Sequence, residues 1–232
     1  MSQIEQNLKI IYKKIENAKQ QRNSNIKNNV HLLAVSKTKP INMIEEAINA
    51  GQMAFGENYV QEGVDKIHYF QGKNIELEWH FIGPLQSNKT RLVAENFDWC
   101  QTIERKKIAL RLNEQRPQDK TPLNVLIQIN ISQESTKSGI LPSEMLEMAD
   151  YIKQLPHLKL RGLMAIPAPS KTIKDQQHVF NQMHDLYIQL QQKYSEMNID
   201  TLSMGMTDDM DMAIECGSTM VRIGSAIFGS RS

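Results

Sequence analysis

Apolar residues recur along this chain in two rhythms. At the amino terminus Ile4, Leu8, Ile11 and Ile15 fall at helical spacing among Glu5, Lys9, Lys13, Lys14 and Glu16, which predicts an amphipathic helix. Such a helix could serve a partner or a membrane surface, but packing on its own domain is the commoner use. Beyond it, short apolar runs predict strands at His31 to Ser36, Gln52 to Phe55, Glu78 to Ile82, Trp99 to Ile103, Val125 to Ile131, Leu158 to Met164, Asp200 to Met204 and Met220 to Ile223. Helical spacing returns between them, as in Met43, Ile44, Ala47 and Ile48, and again from Val179 through Phe180, Met183, Leu186 and Tyr187 to Leu190. The run Val125-Leu126-Ile127-Gln128-Ile129 is almost wholly apolar, as expected of a parallel strand covered on both faces.

Eight strands with intervening helices predict an α/β protein, a single (β/α)8 TIM barrel with an extra N-terminal helix. A doubly wound open sheet is the alternative, because alternation does not count closure. No Pro/Gly/Ser-rich linker divides the 232 residues, so 1–232 reads as one domain. The formal net charge of +1, scattered along the chain, lacks the basic stripe of a nucleic-acid partner. The cluster Arg105-Lys106-Lys107 reads as a solvated face. Cys100 and Cys216 lie far apart without metal-ligand spacing, which fits a reducing, cytoplasmic compartment and no metal. No apolar run reaches membrane-spanning length, and the first residues lack the apolar core of a signal peptide, so mature protein is expected from Met1. A monomer is the expectation.

Barrel enzymes place chemistry just after the strands, at the carboxyl-terminal mouth. Lys37 ends the first apolar run and is followed by Thr38-Lys39-Pro40, where the proline takes the chain out of the sheet. It is either a solvated strand-end lysine or, if partly desolvated, an amine suited to Schiff-base formation. After the second run come Gly56-Glu57-Asn58-Tyr59, after the third Gly83 to Lys89, and after the fifth Lys137-Ser138-Gly139. The seventh and eighth runs lead into Gly205-Met206-Thr207-Asp208-Asp209 and Gly224-Ser225, the loops that bind phosphate in many barrels. Ser203, Thr207 and Ser225 offer hydroxyls, and Gly205 and Gly224 permit close backbone approach. Alternatively, Thr207 and Asp208 cap the following helix, with Asp209 and Asp211 complementing its dipole. The methionines at 204, 206, 210, 212 and 220 read as core filler. An amine facing a phosphate cradle suggests pyridoxal phosphate (PLP).

Leu33-Ala34-Val35-Ser36-Lys37-Thr38-Lys39-Pro40, Phe55-Gly56-Glu57-Asn58-Tyr59-Val60-Gln61-Glu62, Trp79 to Lys89 and Met220 to Gly229 closely resemble the pyridoxal phosphate homeostasis protein family, from about Asn7 to Gly229. The resemblance implies a barrel similar to the amino-terminal domain of alanine racemase, with Lys37 as the aldimine lysine. It also implies Asn58 near the cofactor ring, Ser203, Gly205, Thr207 and the Gly224 backbone around the phosphate, and Arg222 beside the pyridine nitrogen. The family commonly has serine where Thr207 stands, so the hydroxyl is kept. Two functions remain open. One is a non-catalytic binder that takes part in intracellular PLP homeostasis and supplies apo PLP-dependent enzymes. The other is an amino-acid racemase, which needs a second base; the chain stops at Ser232, so that base would have to be Tyr59 or another mouth residue. Lys137 is a second mouth lysine that could accept the aldehyde during release.

Overall fold

The computed structural model describes residues 1–230. The amphipathic stripe becomes helix α1 (Gln3–Gln20), started by Ser2, whose hydroxyl accepts the Glu5 amide at 3.2 Å. Strands β1 (His31–Val35), β2 (Ala54–Glu57), β3 (Glu78–Phe81) and β4 (Trp99–Ile103) alternate with helices α2 (Ile41–Asn49), α3 (Val60–Gly72) and α4 (Thr90–Asn96). Helix α5 (Lys106–Gln115), β5 (Leu123–Gln128), α6 (Met145–Lys153), β6 (Leu158–Met164) and α7 (Ile173–Lys193) follow. The barrel is completed by β7 (Thr201–Ser203), α8 (Met210–Glu215), β8 (Met220–Ile223) and α9 (Ser225–Phe228).

All eight strands are parallel and pair in chain order, and β8 closes on β1 with His31 opposite Met220. The sheet is therefore a closed (β/α)8 barrel, and the open-sheet alternative falls. The main apolar core lies between barrel and helices, where Phe55, Phe81, Val125 and Ile127 meet Phe70, Phe97 and Tyr187. Ile4, Leu8, Ile11 and Ile15 are buried in the same core, so α1 packs on its own barrel.

Strand β2 runs two residues further than the sequence suggests and takes in Gly56 and Glu57. Both residues are poor strand formers, but alternation explains each. Gly56 turns into the barrel, where an added Cβ would sit 3.0 Å from Leu33 and Ile82. Glu57 turns outward beneath α3 and is buried. At β5 the expected end, Ile131, lies beyond the strand, which stops at Gln128. Arg105, Lys106 and Lys107 are exposed as expected.

If α1 is integral to the barrel, Leu8→Ala should destabilise the protein by about 2–5 kcal/mol. An unchanged urea midpoint would show that the helix docks only loosely.

Candidate functional site

The segments that follow β1, β2, β7 and β8 meet in a cavity of about 300 Å³ at the carboxyl-terminal mouth. Lys37, Asn58, Thr207, Arg222 and Gly224 all lie on its wall, with Ser225, Ile166 and Met206 beside them. A smaller side chamber holds Lys137, Thr102 and Gln128 and shares Asn58, Ile82 and Ile166 with the main cavity. Lys89 and Tyr59 are exposed and line neither chamber. Met206 is half exposed on the rim, unlike buried Met204, Met210 and Met220.

Lys37 is presented by a stretch of backbone that is held on both sides. The Ser36 hydroxyl donates to Glu57 Oε1 at 2.7 Å. The Lys66 ammonium, on α3, donates to the Ser36 carbonyl at 2.8 Å and to Glu57 Oε1 and Glu62 Oε1 at 2.7 Å each. Glu62 Oε1 in turn accepts the Thr38 amide at 2.6 Å. Thr38 has φ 63°, a left-handed conformation that costs a β-branched residue energy and persists only when its surroundings impose it. Burial pushes the Glu57 carboxyl above its usual range, Lys66 pulls it back, and Glu57 Oε2 is buried without a hydrogen bond. Lys39, two residues on, spends its amine on the carbonyls of Gly229 and Ser230 at 3.1 and 3.2 Å.

Across the cavity Arg222 is buried in β8, its Nη1 donating to Ser203 Oγ at 2.6 Å and its Nη2 to the Ala165 carbonyl at 2.9 Å. Burial draws its pKa down to about 10 and the nearby Asp209 opposes this, so it is still a cation at neutral pH. Ser203 itself is buried behind the wall, as is Gly205. At φ 102°, with an added Cβ only 2.7 Å from Ala213 Cβ, Gly205 is explained by close packing of α8. Asp209, not Thr207 or Asp208, stands at the α8 N-cap, and its carboxylate accepts the Met206 amide at 2.6 Å. Thr207 is thereby left exposed on the cavity wall, its hydroxyl 3.4 Å from that of Ser225. Sequence reasoning missed Lys66 and Glu62; their i, i+4 spacing was the available signal.

Comparison with known proteins places this geometry in context. The model of the alanine racemase N-terminal domain matches residues 7–232. The pyridoxal phosphate homeostasis protein of Haemophilus influenzae is 66% identical over 229 residues, 99% of this chain and 96% of that protein. Its namesake in Escherichia coli K12 is 63% identical over 203 residues, 87% of this chain and 86% of its own. PipY of Synechococcus elongatus, at 32% identity, superposes over 98% of this chain and 100% of its own, with a TM-score of 0.86 without PLP and 0.83 with PLP bound. Alanine racemase of Clostridium difficile shares the fold, with a TM-score of 0.68 at 15% identity over 97% of this chain and 57% of its own.

Removing the Lys66 charge should leave the buried Glu57 carboxylate facing the partly exposed one of Glu62. Lys66→Met is expected to lose about 3–5 kcal/mol. Glu57 is a group whose folded pKa lies above its unfolded one, so the stability it contributes is present at low pH and lost as pH rises through the folded value. The Lys66→Met deficit, read from urea midpoints, should therefore be larger at pH 8 than at pH 5, and Glu57→Gln in the same protein should recover part of it. A deficit independent of pH would show that the charge on Glu57 does not change between pH 5 and pH 8.

Proposed function

The chain belongs to the alanine racemase N-terminal domain family and, within it, to the pyridoxal phosphate homeostasis proteins, and from that premise we propose that it binds PLP in the mouth cavity and holds it in reserve for other proteins. The observation that carries this reading is the convergence of an amine, Lys37, a buried guanidinium, Arg222, and the Thr207 and Gly224 wall on one cavity of about 300 Å³, within the range of small-ligand sites. The fit is chemical as well as spatial. Asn58 Oδ1 is buried without a partner in the protein, on a side chain that borders the cavity. The hydroxyls of Thr207 and Ser225 flank Gly224, where the first amides of α9 have no partner inside their helix.

When bound, PLP supplies an aldehyde that an amine can hold covalently and an electron-withdrawing ring. In this reading Lys37 takes the aldehyde and Asn58 stands beside the ring. Thr207 and the Gly224 backbone hold the phosphate, with Ser203 and Gly205 supporting that wall from behind. Arg222 faces the ring nitrogen. A guanidinium can only donate, so it leaves that nitrogen unprotonated and makes proton abstraction next to an amino group hard to support. Binding and delivery are therefore favoured over turnover, in keeping with relatives named for homeostasis. The recipients we infer are apo PLP-dependent enzymes. The scattered charge supports no nucleic-acid partner, and no helix among the described residues is long and apolar enough to cross a membrane. We place the protein in the cytoplasm, as a monomeric single domain over residues 1–232.

Borohydride reduction of PLP-loaded protein followed by peptide mapping should place the pyridoxyl mass on Lys37, and recovery solely on Lys39 or Lys89 would sink the assignment. Thr207→Ala should weaken binding several-fold, the loss of about 0.5–1.5 kcal/mol. Gly224→Val should do more, since an added Cβ already lies 3.3 Å from the Val35 carbonyl oxygen. Parent-like affinity in both variants would move the phosphate elsewhere.

In heavy water, amino acids incubated with the loaded protein should exchange their α-hydrogen far below about 1 per second, the lower end of ordinary enzyme turnover. Sustained faster exchange that yields the opposite enantiomer on chiral analysis and vanishes in Lys37→Ala would make the protein a racemase.

A further inference from the structure

The inside of a small barrel is normally filled by apolar side chains, and here two small apolar groups do part of that work: Leu33, Ile82 and Met220, and Trp99, Leu126 and Met164. Between them stand four buried polar side chains, Arg222, Ser203, Gln101 and His80. The His80 ring stacks on Trp99 at 4.8 Å, and Gln101 Nε2 lies 3.2 Å from Met220 Sδ, so the polar group touches both apolar ones. Polar atoms in such a place must be hydrogen-bonded, and these are, in series. Arg222 Nη1 donates to Ser203 Oγ at 2.6 Å, and the Ser203 hydroxyl donates to Gln101 Oε1 at 2.7 Å. Gln101 Nε2 then meets His80 Nδ1 at 2.9 Å, and His80 Nε2 meets Glu78 Oε1 at 2.7 Å. Glu78, half exposed, opens on the opposite end of the barrel from the cavity.

The two ends, together with the orientation of the Gln101 amide, set the direction of every bond. Arg222 can only donate and a Glu78 carboxylate can only accept. Were the Gln101 amide turned over, Ser203 Oγ would receive two donors and its own proton would lose the amide oxygen. His80 Nδ1 would then need a proton to meet that oxygen, and a neutral ring would turn a bare Nε2 toward the Glu78 carboxylate. The observed order therefore requires a neutral His80 carrying its proton on Nε2.

We propose that Gln101 and His80 are positioning residues for Arg222: a one-way hydrogen-bond chain from Arg222 through Ser203, Gln101 and His80 to Glu78 fixes the guanidinium on the cavity wall. The chain ties the cavity to a carboxylate at the far end of the barrel. Burial lowers the His80 pKa, outweighing the opposing pull of Glu78 and the weaker one of Asp98, while Arg161 adds to the lowering, so the ring is neutral near pH 7 as the chain requires. The consequence for a bound pyridine ring rests on the proposed function; the chain itself does not.

The test separates the two. In cofactor-free, 15N-labelled protein, His80 should show the neutral tautomer protonated at Nε2. Gln101→Glu, whose carboxylate accepts from both sides, should turn His80 into an imidazolium. Gln101→Met, similar in length and unable to hydrogen-bond, should move or broaden the Arg222 guanidinium resonances, while Thr207→Ala leaves them in place. With PLP added, Gln101→Met should raise the Kd about two- to tenfold, the loss of one neutral hydrogen bond, and shift the visible absorption maximum. Should Gln101→Met fail to fold, Ser203→Ala, a change of one buried oxygen next to Arg222, is expected to give the same guanidinium shift. A His80 ring protonated at Nδ1 in the parent, or unmoved Arg222 resonances in the folded variant, would overturn the proposal. Failure of the parent to bind PLP would count against the function alone, since the resonances still decide the chain.

Discussion

The mouth of the barrel is organised around the Lys66 ammonium, a buried charge. It touches Glu57, Glu62 and the carbonyl before Lys37 within 2.7 to 2.8 Å. Buried ion pairs of this kind add little net stability, because desolvating the charges consumes most of what their attraction returns. Their use here is geometric. Glu62 accepts the amide of Thr38, and Glu57 accepts the hydroxyl of Ser36, so the residues on either side of Lys37 answer to the same cation. A left-handed threonine relaxes unless something opposes it, and the Lys66 cluster is what opposes it.

The same economy governs the far side of the cavity. A buried Arg222 is tolerable because Ser203 and the Ala165 carbonyl take up its donors, and Ser203 is tolerable because Gln101 accepts its proton. Each polar residue inside the barrel makes the next one necessary. The chain can end only at a group in contact with water, which Glu78 provides. Rigidity at the two faces of the cavity thus has two separate sources: an ion cluster outside the barrel wall at Lys37, and a hydrogen-bond series within it at Arg222.

How far the sequence revealed this follows from the reach of its signals. Alternation of apolar runs reported the eight strands because each had to bury one or both faces, and the run at Val125 was clearest since both faces are covered. Strand β2 was cut short because Gly56 and Glu57 oppose strand propensity; only the barrel interior, too narrow for a side chain at Gly56, and Lys66, eleven positions beyond Phe55, explain them. That Lys37, Asn58, Thr207, Arg222 and Gly224 would share one cavity wall was legible, because strand ends of this fold gather at one mouth. The positions of Ser203 and Gly205 were not, since facing the cavity and lying one layer behind it look alike in a linear string. Thr207 could be read as a cap or as a site residue until Asp209 was seen to hold the cap position.

Lys37 and Lys39 show most plainly what a fold adds. The two amines are two residues apart, so along an extended segment they would leave on the same side, and composition cannot rank them. Both border the cavity. The other end of the chain reaches one of them: the carbonyls of Gly229 and Ser230, about 190 residues away in sequence, come within 3.1 and 3.2 Å of the Lys39 amine and engage it as a structural donor. That contact exists only because β8 closes on β1, bringing α9 and the residues after it alongside the loop at Pro40. Barrel closure therefore does more than complete a sheet. It commits Lys39 to holding Gly229 and Ser230 against the mouth, on the same cavity wall that carries Lys37.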